Sequence, residues 1–252
     1  MSWSDILIFF GALAFAALML WLVQRFVPHP ARESSNDVAG FIFAGVGVIY
    51  AVLLAFVVIS VWENVDAARQ TTFKEANALA GIYWISRDLP LPLGSTIEHE
   101  TLDYAHTVED NEWPLMADHR SSPQATQEVY AIRASVNSYQ PTTPAQQVLF
   151  DHAVTHVEDL ATERRERLTE VEDSVPPLLW GALILGAVLT IGFTYLFGLS
   201  NTLAHALMVL SLTALVVGSL ILIKEMNYPF VGHSKIEPTA FQVFLDRLPA
   251  PR

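Results

Sequence analysis

Four long apolar blocks dominate the pattern of hydrophobic and polar positions along this chain. They occupy residues 6–27, 39–62, 177–199 and 203–223, and their only Lys, Arg, Asp or Glu is Arg25, near the end of the first block. A helix of about 20 apolar residues spans the hydrocarbon core of a bilayer, which is roughly 30 Å thick. We therefore predict four transmembrane helices. The first block lacks the basic segment of a signal peptide, so we expect it to be retained as a helix.

The helical period continues beyond the second block. Side chains of one helical face recur every three or four residues at Trp62, Val65, Arg69, Phe73, Ala76, Ala80 and Tyr83. No proline or glycine interrupts residues 48–80. The second span is therefore predicted to continue as one unbroken helix to about Asp88. Pro90 and Pro92 then stop it, because proline cannot donate a backbone hydrogen bond.

Three more helices are predicted before the third span. The first runs from about Ser95, as its N-cap, to Glu112 and stops at Trp113–Pro114. The others begin at Ser122–Pro123 and Thr143–Pro144, because proline suits the first helical position. Their apolar faces carry Val129, Ile132, Val136 and Tyr139 on one helix and Leu149, Val157, Leu160, Leu168 and Val171 on the other.

No stretch shows the alternation of a strand, so the predicted fold class is an all-α membrane protein. Its four transmembrane helices form two hairpins, with a long-helix acidic stalk domain at residues 63–176 between spans 2 and 3. Residues 224–252 are predicted to be a C-terminal tail. The apolar stripes of the stalk helices are wider than a narrow stalk needs, which favours burial in a closed homo-oligomer.

Charge is concentrated in the predicted stalk. The chain carries a formal net charge of −12, and residues 63–176 contain 20 acids and 8 bases, whereas the other residues are balanced. An acidic chain lacks the basic face that nucleic-acid binding needs, so no nucleic-acid partner is expected. There is no cysteine, which excludes disulfides and thiolate metal sites.

Two ways of counting Lys and Arg near the membrane ends give opposite answers for the side of the membrane on which the stalk lies. Arg25 and Arg32 lie at and after the end of the first helix and only Asp5 precedes it, which favours an outside N-terminus. Counted over all membrane ends, seven Lys and Arg residues lie on the side of the stalk and termini, against two at the short loops. Long domains translocate with little regard to charge. The side therefore stays open, and the total count favours the cytosol.

Candidate catalytic chemistry is sparse. His152 and His156 lie four residues apart on one helical face, followed by Asp159 and Glu163. Such a face can hold a divalent ion, but a solvated face of an acidic helix is the favoured interpretation. No nucleophile or phosphate-binding motif accompanies the histidines. We therefore expect no enzyme, no cofactor and no metal, with His152 and His156 as weak metal candidates only.

The run Arg164–Arg167 also has two interpretations. It can bind lipid headgroups, or it can pair within its own helix, as Glu163 with Arg167 four residues later. The intrahelical pairing is favoured.

The second span carries two further features. Gly45 and Gly47 lie inside an uncharged helix, where we expect them to allow close helix packing. Val48, Val52 and Phe56 recur every four residues on one face. In a ring of copies such a face forms an apolar constriction that gates by dewetting. The alternative is that these side chains pack on neighbouring helices or lipid.

Seven segments in order carry a family resemblance. They are residues 36–43, 50–63, 75–79, 110–114, 176–180, 193–198 and 228–232. Over about residues 20–245 the chain resembles the bacterial bestrophin-like family, whose function is not established. It is more distantly similar to the bestrophins, which are pentameric ion channels. By that resemblance, Val48, Val52 and Phe56 match the three apolar positions of the bestrophin pore neck.

The resemblance has departures as well as implications. Bestrophins usually have an arginine soon after the matched phenylalanine, where this chain has the apolar run 57–59. The acidic calcium-binding run of animal bestrophins has no counterpart in residues 233–237, so calcium gating is not implied. The bestrophin topology implies that the stalk and both termini are cytosolic.

Two functional hypotheses follow. The first is a homo-oligomeric, pentameric ion channel of the bacterial inner membrane, with the lipid bilayer and inorganic ions as partners. The second span lines its pore, and the acidic stalk predicts a preference for cations. The alternative is a non-conducting membrane scaffold or sensor whose acidic stalk binds a partner.

Overall fold

The computed structural model describes residues 2–34, 36–232 and 234–248, and no strand occurs among them. The helices are α1 Trp3–Phe26, α2 His29–Glu33, α3 Asn36–Ser86, α4 Leu93–Thr107, α5 Trp113–Met116, α6 Pro123–Asn137, α7 Pro144–Glu170, α8 Pro177–Thr194, α9 Thr202–Met226 and α10 Thr239–Asp246. Helices α1, α3, α8 and α9 are long and apolar enough to cross a membrane. The prediction of an all-α protein with four spans is confirmed.

The chain forms two compact units. We call residues 1–63 and 174–227 the membrane unit, because the apolar segments of all four candidate spans lie in it, and residues 64–173 and 228–252 the acidic unit. Helix α3 runs through both over 51 residues. Its length agrees with the prediction of one unbroken helix, which follows from the absence of proline and glycine over residues 48–80.

In the membrane unit, helix α9 packs against both α1 and α8. Tyr50 of α3 lies in a core cluster with Ala187 of α8 and Val216 of α9. The ring of Tyr50 lies directly on Gly186, where a Cβ atom would overlap it. Glycine at this position therefore lets α3 and α8 approach each other closely.

Polar contacts join the ends of the membrane helices. Near the start of α1, the buried carboxylate of Asp5 accepts a hydrogen bond from Lys224 Nζ at 2.6 Å. At the other end of the unit, the side-chain amide of Asn36 both donates to and accepts from the backbone of Gly198. The neighbouring Arg32 donates to the carbonyl of Phe197 at 3.1 Å. These bonds satisfy backbone groups of the loop between α8 and α9.

The acidic unit has one core, which the second half of α3 shares with α4, α6, α7 and α10. Among its completely buried side chains are Leu79, Tyr83, Tyr104, Ile132, Leu160 and Phe241. The starts of α6 and α7 agree with prediction, because the hydroxyls of Ser122 and Thr143 accept the hydrogen bonds of an N-cap.

Two local predictions are wrong. Helix α4 begins at Leu93, after Pro92, and Ser95 is not its N-cap. The helical path does not end at Trp113–Pro114, because a π-helical turn at Val108–Glu112 connects α4 directly to α5. Pro114 then lies in the first turn of α5, where its missing N–H breaks no bond of that helix.

The C-terminal region is also more ordered than a tail. Trp113 Nε1 donates to the carbonyl of Ile236 at 2.9 Å, and the rings of Phe230 and Phe241 pack edge-on against Trp113. Helix α10 thus completes the core of the acidic unit. His233 and residues 249–252 of the predicted tail lie outside the described residues.

Candidate functional site

The membrane part of α3 has a face whose side chains are largely exposed among the described residues. Val48, Val52 and Phe56 lie on it, with 64%, 50% and 67% of their surface exposed. Tyr50, Val57 and Val61, in contrast, are buried against α8 and α9. At 100° per residue, the three exposed side chains lie roughly opposite the packed ones. We call Val48, Val52 and Phe56 the neck face.

The two glycines predicted to mediate helix packing do not do so within the chain. A Cβ atom on Gly45 or Gly47 would have no neighbour within 4 Å. Close approach occurs instead at Gly186 and Gly198. Packing at Gly45 and Gly47 between copies of the chain stays a prediction.

The predicted histidine pair does not gather further ligands. His152 is exposed, and the ring of His156 packs on Gly81 of α3. In the described part of the chain, no group of three or more His, Asp or Glu side chains is placed to hold a metal ion. His156 thus has a packing contact that accounts for its position.

The run Arg164–Arg167 is predicted from the sequence to pair within its own helix. This prediction is wrong for Arg164 and Arg167, which are buried. Arg167 is completely buried and forms a bidentate pair with Glu75 of α3, at 2.6 and 2.9 Å. It also donates to Glu112 at 2.8 Å, and Arg164 donates to the other oxygen of Glu112 at 2.6 Å. The sequence analysis missed these partners, which are 52 to 92 residues away.

We call Glu75, Glu112, Arg164 and Arg167 the buried charge network. Its charges balance, and Tyr104 adds a hydrogen bond from its hydroxyl to Glu75 at 2.5 Å. A sequence signal for the network does exist. Glu75 lies midway between two buried positions, seven residues after Ala68 and seven before Ile82, so it occupies the apolar face of α3.

The protonation of this network follows from its geometry. Burial acts to raise the pKa of Glu112, but the guanidiniums of Arg167 and Arg164 outweigh it and hold the pKa below its usual value. Burial likewise acts to lower the pKa of Arg167, and Glu75 and Glu112 overcome this and raise it. Burial and the charge of Glu75 raise the pKa of the Tyr104 hydroxyl. Glu112 and Arg167 therefore stay ionised at neutral pH, with Tyr104 as a donor.

The carboxyl group of Glu170 lies where α7 contacts α3, and its pKa is shifted in the opposite direction to that of Glu112. Thr71 Oγ1 donates to Glu170 at 2.9 Å, and the other carboxyl oxygen is buried without a hydrogen bond from any described residue. Burial, with the charges of Glu166 and Asp173, raises the pKa of Glu170 to about 7. Glu170 thus changes protonation near neutral pH.

These features define the class of the protein as an integral membrane protein of four helical spans with an attached acidic helical unit. Comparison with protein-family models matches residues 10–241 to the Bestrophin-like domain. The chain belongs to the bestrophin-like family, as its sequence segments predict. A comparison with curated protein sequences finds no match.

Solved structures show the same fold. A bacterial bestrophin homologue from Klebsiella pneumoniae, in a form carrying one mutation, matches with a TM-score of 0.73 and 13% identity, over 94% of this chain and 98% of that chain. A second structure of a bestrophin homologue from this organism matches with a TM-score of 0.72 and 12% identity, over 94% and 97%. At this identity the likeness establishes the fold.

Proposed function

We propose that this protein is an oligomeric ion channel of the bacterial inner membrane, and that α3 lines its pore. The observation that carries the proposal is the neck face, which is apolar, exposed and opposite the packed side of α3. In a closed ring, each copy presents the same face to the axis. Apolar side chains at such a constriction gate ions by dewetting. We favour five copies, the number implied by the resemblance to bestrophins.

The charge of the acidic unit supports a preference for cations. The residues of this unit, 64–173 and 228–252, contain 21 Asp and Glu against 11 Lys and Arg, a net charge of −10, and the buried charge network contributes nothing to it because its charges cancel. The excess therefore resides on other, mostly more exposed side chains. A vestibule bounded by such surfaces concentrates cations and repels anions. We place this unit in the cytosol, in line with the total Lys and Arg count.

Flux measurements on reconstituted protein test the channel. Purified protein in liposomes is expected to conduct ions, and mass photometry in detergent is expected to give one closed oligomer. Phe56→Ala should raise the conductance, because a smaller side chain widens and wets the constriction. The matched control is Phe10→Ala, since Phe10 is 63% exposed on α1 and not on the neck face.

The rival scaffold or sensor predicts a different result. If neither the wild type nor Phe56→Ala conducts, and the protein forms no closed oligomer, the channel is excluded. If Phe10→Ala raises the conductance as much as Phe56→Ala, the neck face is not the constriction.

A further inference from the structure

The neck face ends at a carboxylate. Glu63 is the last residue of the first segment of the membrane unit and follows Phe56 by seven residues in the same unbroken helix. Seven residues turn a helix by two turns less about 20° and advance it by about 10 Å. From Val52 to Glu63, eleven residues rotate the helix by three full turns plus about 20°. Glu63 therefore projects from the same face as Val52 and Phe56, roughly two turns further along.

The surroundings of Glu63 leave its charge uncompensated. Its side chain is exposed, and no described residue forms a hydrogen bond or ion pair with it. Two other carboxylates are engaged, since Asp66, three residues later, accepts from Gln70 at 2.7 Å and Asp5 of the same unit pairs with Lys224. The adjacent Trp62 is 64% exposed, as is typical of an indole at a membrane–water interface.

We propose that the Glu63 side chains of neighbouring copies form a cation-binding ring at the inner end of the apolar neck. The proposal rests on the proposed channel function and assigns its selectivity to one residue. A ring of carboxylates attracts metal cations that have left bulk water and repels anions. Because the ring lies where the uncharged span ends, it acts on ions as they enter or leave the neck.

The proposed ring and the diffuse charge of the acidic unit differ in how salt should affect selectivity. A diffuse negative surface is screened over about 8 Å at physiological ionic strength. Carboxylates held within a few ångströms of a narrow axis are screened much less. Selectivity that persists at high salt therefore requires charges at the neck itself, and Glu63 is the carboxylate placed there.

The test compares ion selectivity in liposomes under a salt gradient. Wild type, Phe56→Ala, Glu63→Gln and the double variant Phe56→Ala with Glu63→Gln are measured together. We expect Glu63→Gln to lower the cation-to-anion permeability ratio about fivefold or more in both backgrounds, because Coulomb energies at this range are large in a narrow pore. Glu63→Asp should retain the ratio. The matched control is Glu158→Gln, which removes an exposed carboxylate from α7.

The possible results distinguish a failure of the proposed Glu63 ring from a failure of the proposed channel. If neither wild type nor Phe56→Ala conducts and no closed oligomer forms, the channel itself is overturned, and the ring with it. Flux with an unchanged permeability ratio in Glu63→Gln overturns the ring and leaves the channel standing. An equal change in Glu158→Gln also overturns the ring, because it assigns selectivity to the diffuse charge. Since Glu63 has no hydrogen-bond or ion-pair partner among the described residues, Glu63→Gln is expected to elute as the same oligomer as wild type.

Discussion

The guanidinium of Arg167 and the carboxylate of Glu75 form a bidentate ion pair with no solvent exposure on either side chain, across 92 residues of sequence. The pair joins α7 to α3, the helix that carries the neck face. The ring centroid of Trp113 lies 5.3 Å from Cζ of the same guanidinium, within the range of a cation–π contact. Any change that leaves one of these charges alone must bury it without compensation.

Replacing Arg167 should therefore destabilise the full-length protein strongly. We expect Arg167→Met to lower the free energy of unfolding by about 3–5 kcal/mol, because Glu75 loses its only ion-pair partner among the described residues and Glu112 loses one of two. Thermal unfolding in detergent measures the effect. The matched control is Arg165→Met, which removes an exposed arginine of the same helix and should change stability by less than about 0.5 kcal/mol. Equal effects would contradict the role of the buried charge network.

Glu170 should make stability depend on pH near neutrality. Its pKa of about 7 in the folded protein lies above the ordinary value of 4.5, so between these two values the folded state binds more protons than the unfolded state. The free energy of unfolding should therefore fall as pH rises through this window. The contribution of Glu170 to it should be largest below about pH 4.5.

The variant Glu170→Gln isolates this contribution. It keeps an acceptor for Thr71 and removes the charge, so it should be about 1 kcal/mol more stable than wild type at pH 8, after allowance for solvent screening. The difference should disappear near pH 5. Unfolding midpoints at the two pH values measure it, and a difference independent of pH would contradict the assignment.

Gly186 should be intolerant of a side chain. A Cβ atom there overlaps the ring of Tyr50, so Gly186→Ala is expected to cost about 1–3 kcal/mol of stability through displaced packing. Gly181 lies in the same helix with nothing within 4 Å of a Cβ atom. Gly181→Ala is the control and should be neutral or slightly stabilising. A thermal unfolding midpoint for Gly186→Ala at or above that of Gly181→Ala would show that α3 and α8 do not meet at this contact.

Local features of the sequence predict most of the helices correctly. The absence of proline and glycine over residues 48–80 predicts the continuous α3, and Ser122 and Thr143 predict the starts of α6 and α7, because capping involves only neighbouring residues. The same reasoning fails at Pro114, where a π-helical turn lets the chain continue. Val108 and Glu112 of that turn are packed in the core. Local helix propensity does not describe such packing.

The sequence by itself determined the spans, the helical class and the membership of Val48, Val52 and Phe56 in one face, because apolar run length and helical period are properties of short segments. Only the tertiary structure decided which face of α3 is left uncovered, that α10 completes the core of the acidic unit, and that Arg164 and Arg167 pair with Glu112 and Glu75. These outcomes depend on contacts between residues far apart in the chain. A charged side chain on an apolar face can be paired or exposed, and only its distant partner settles which.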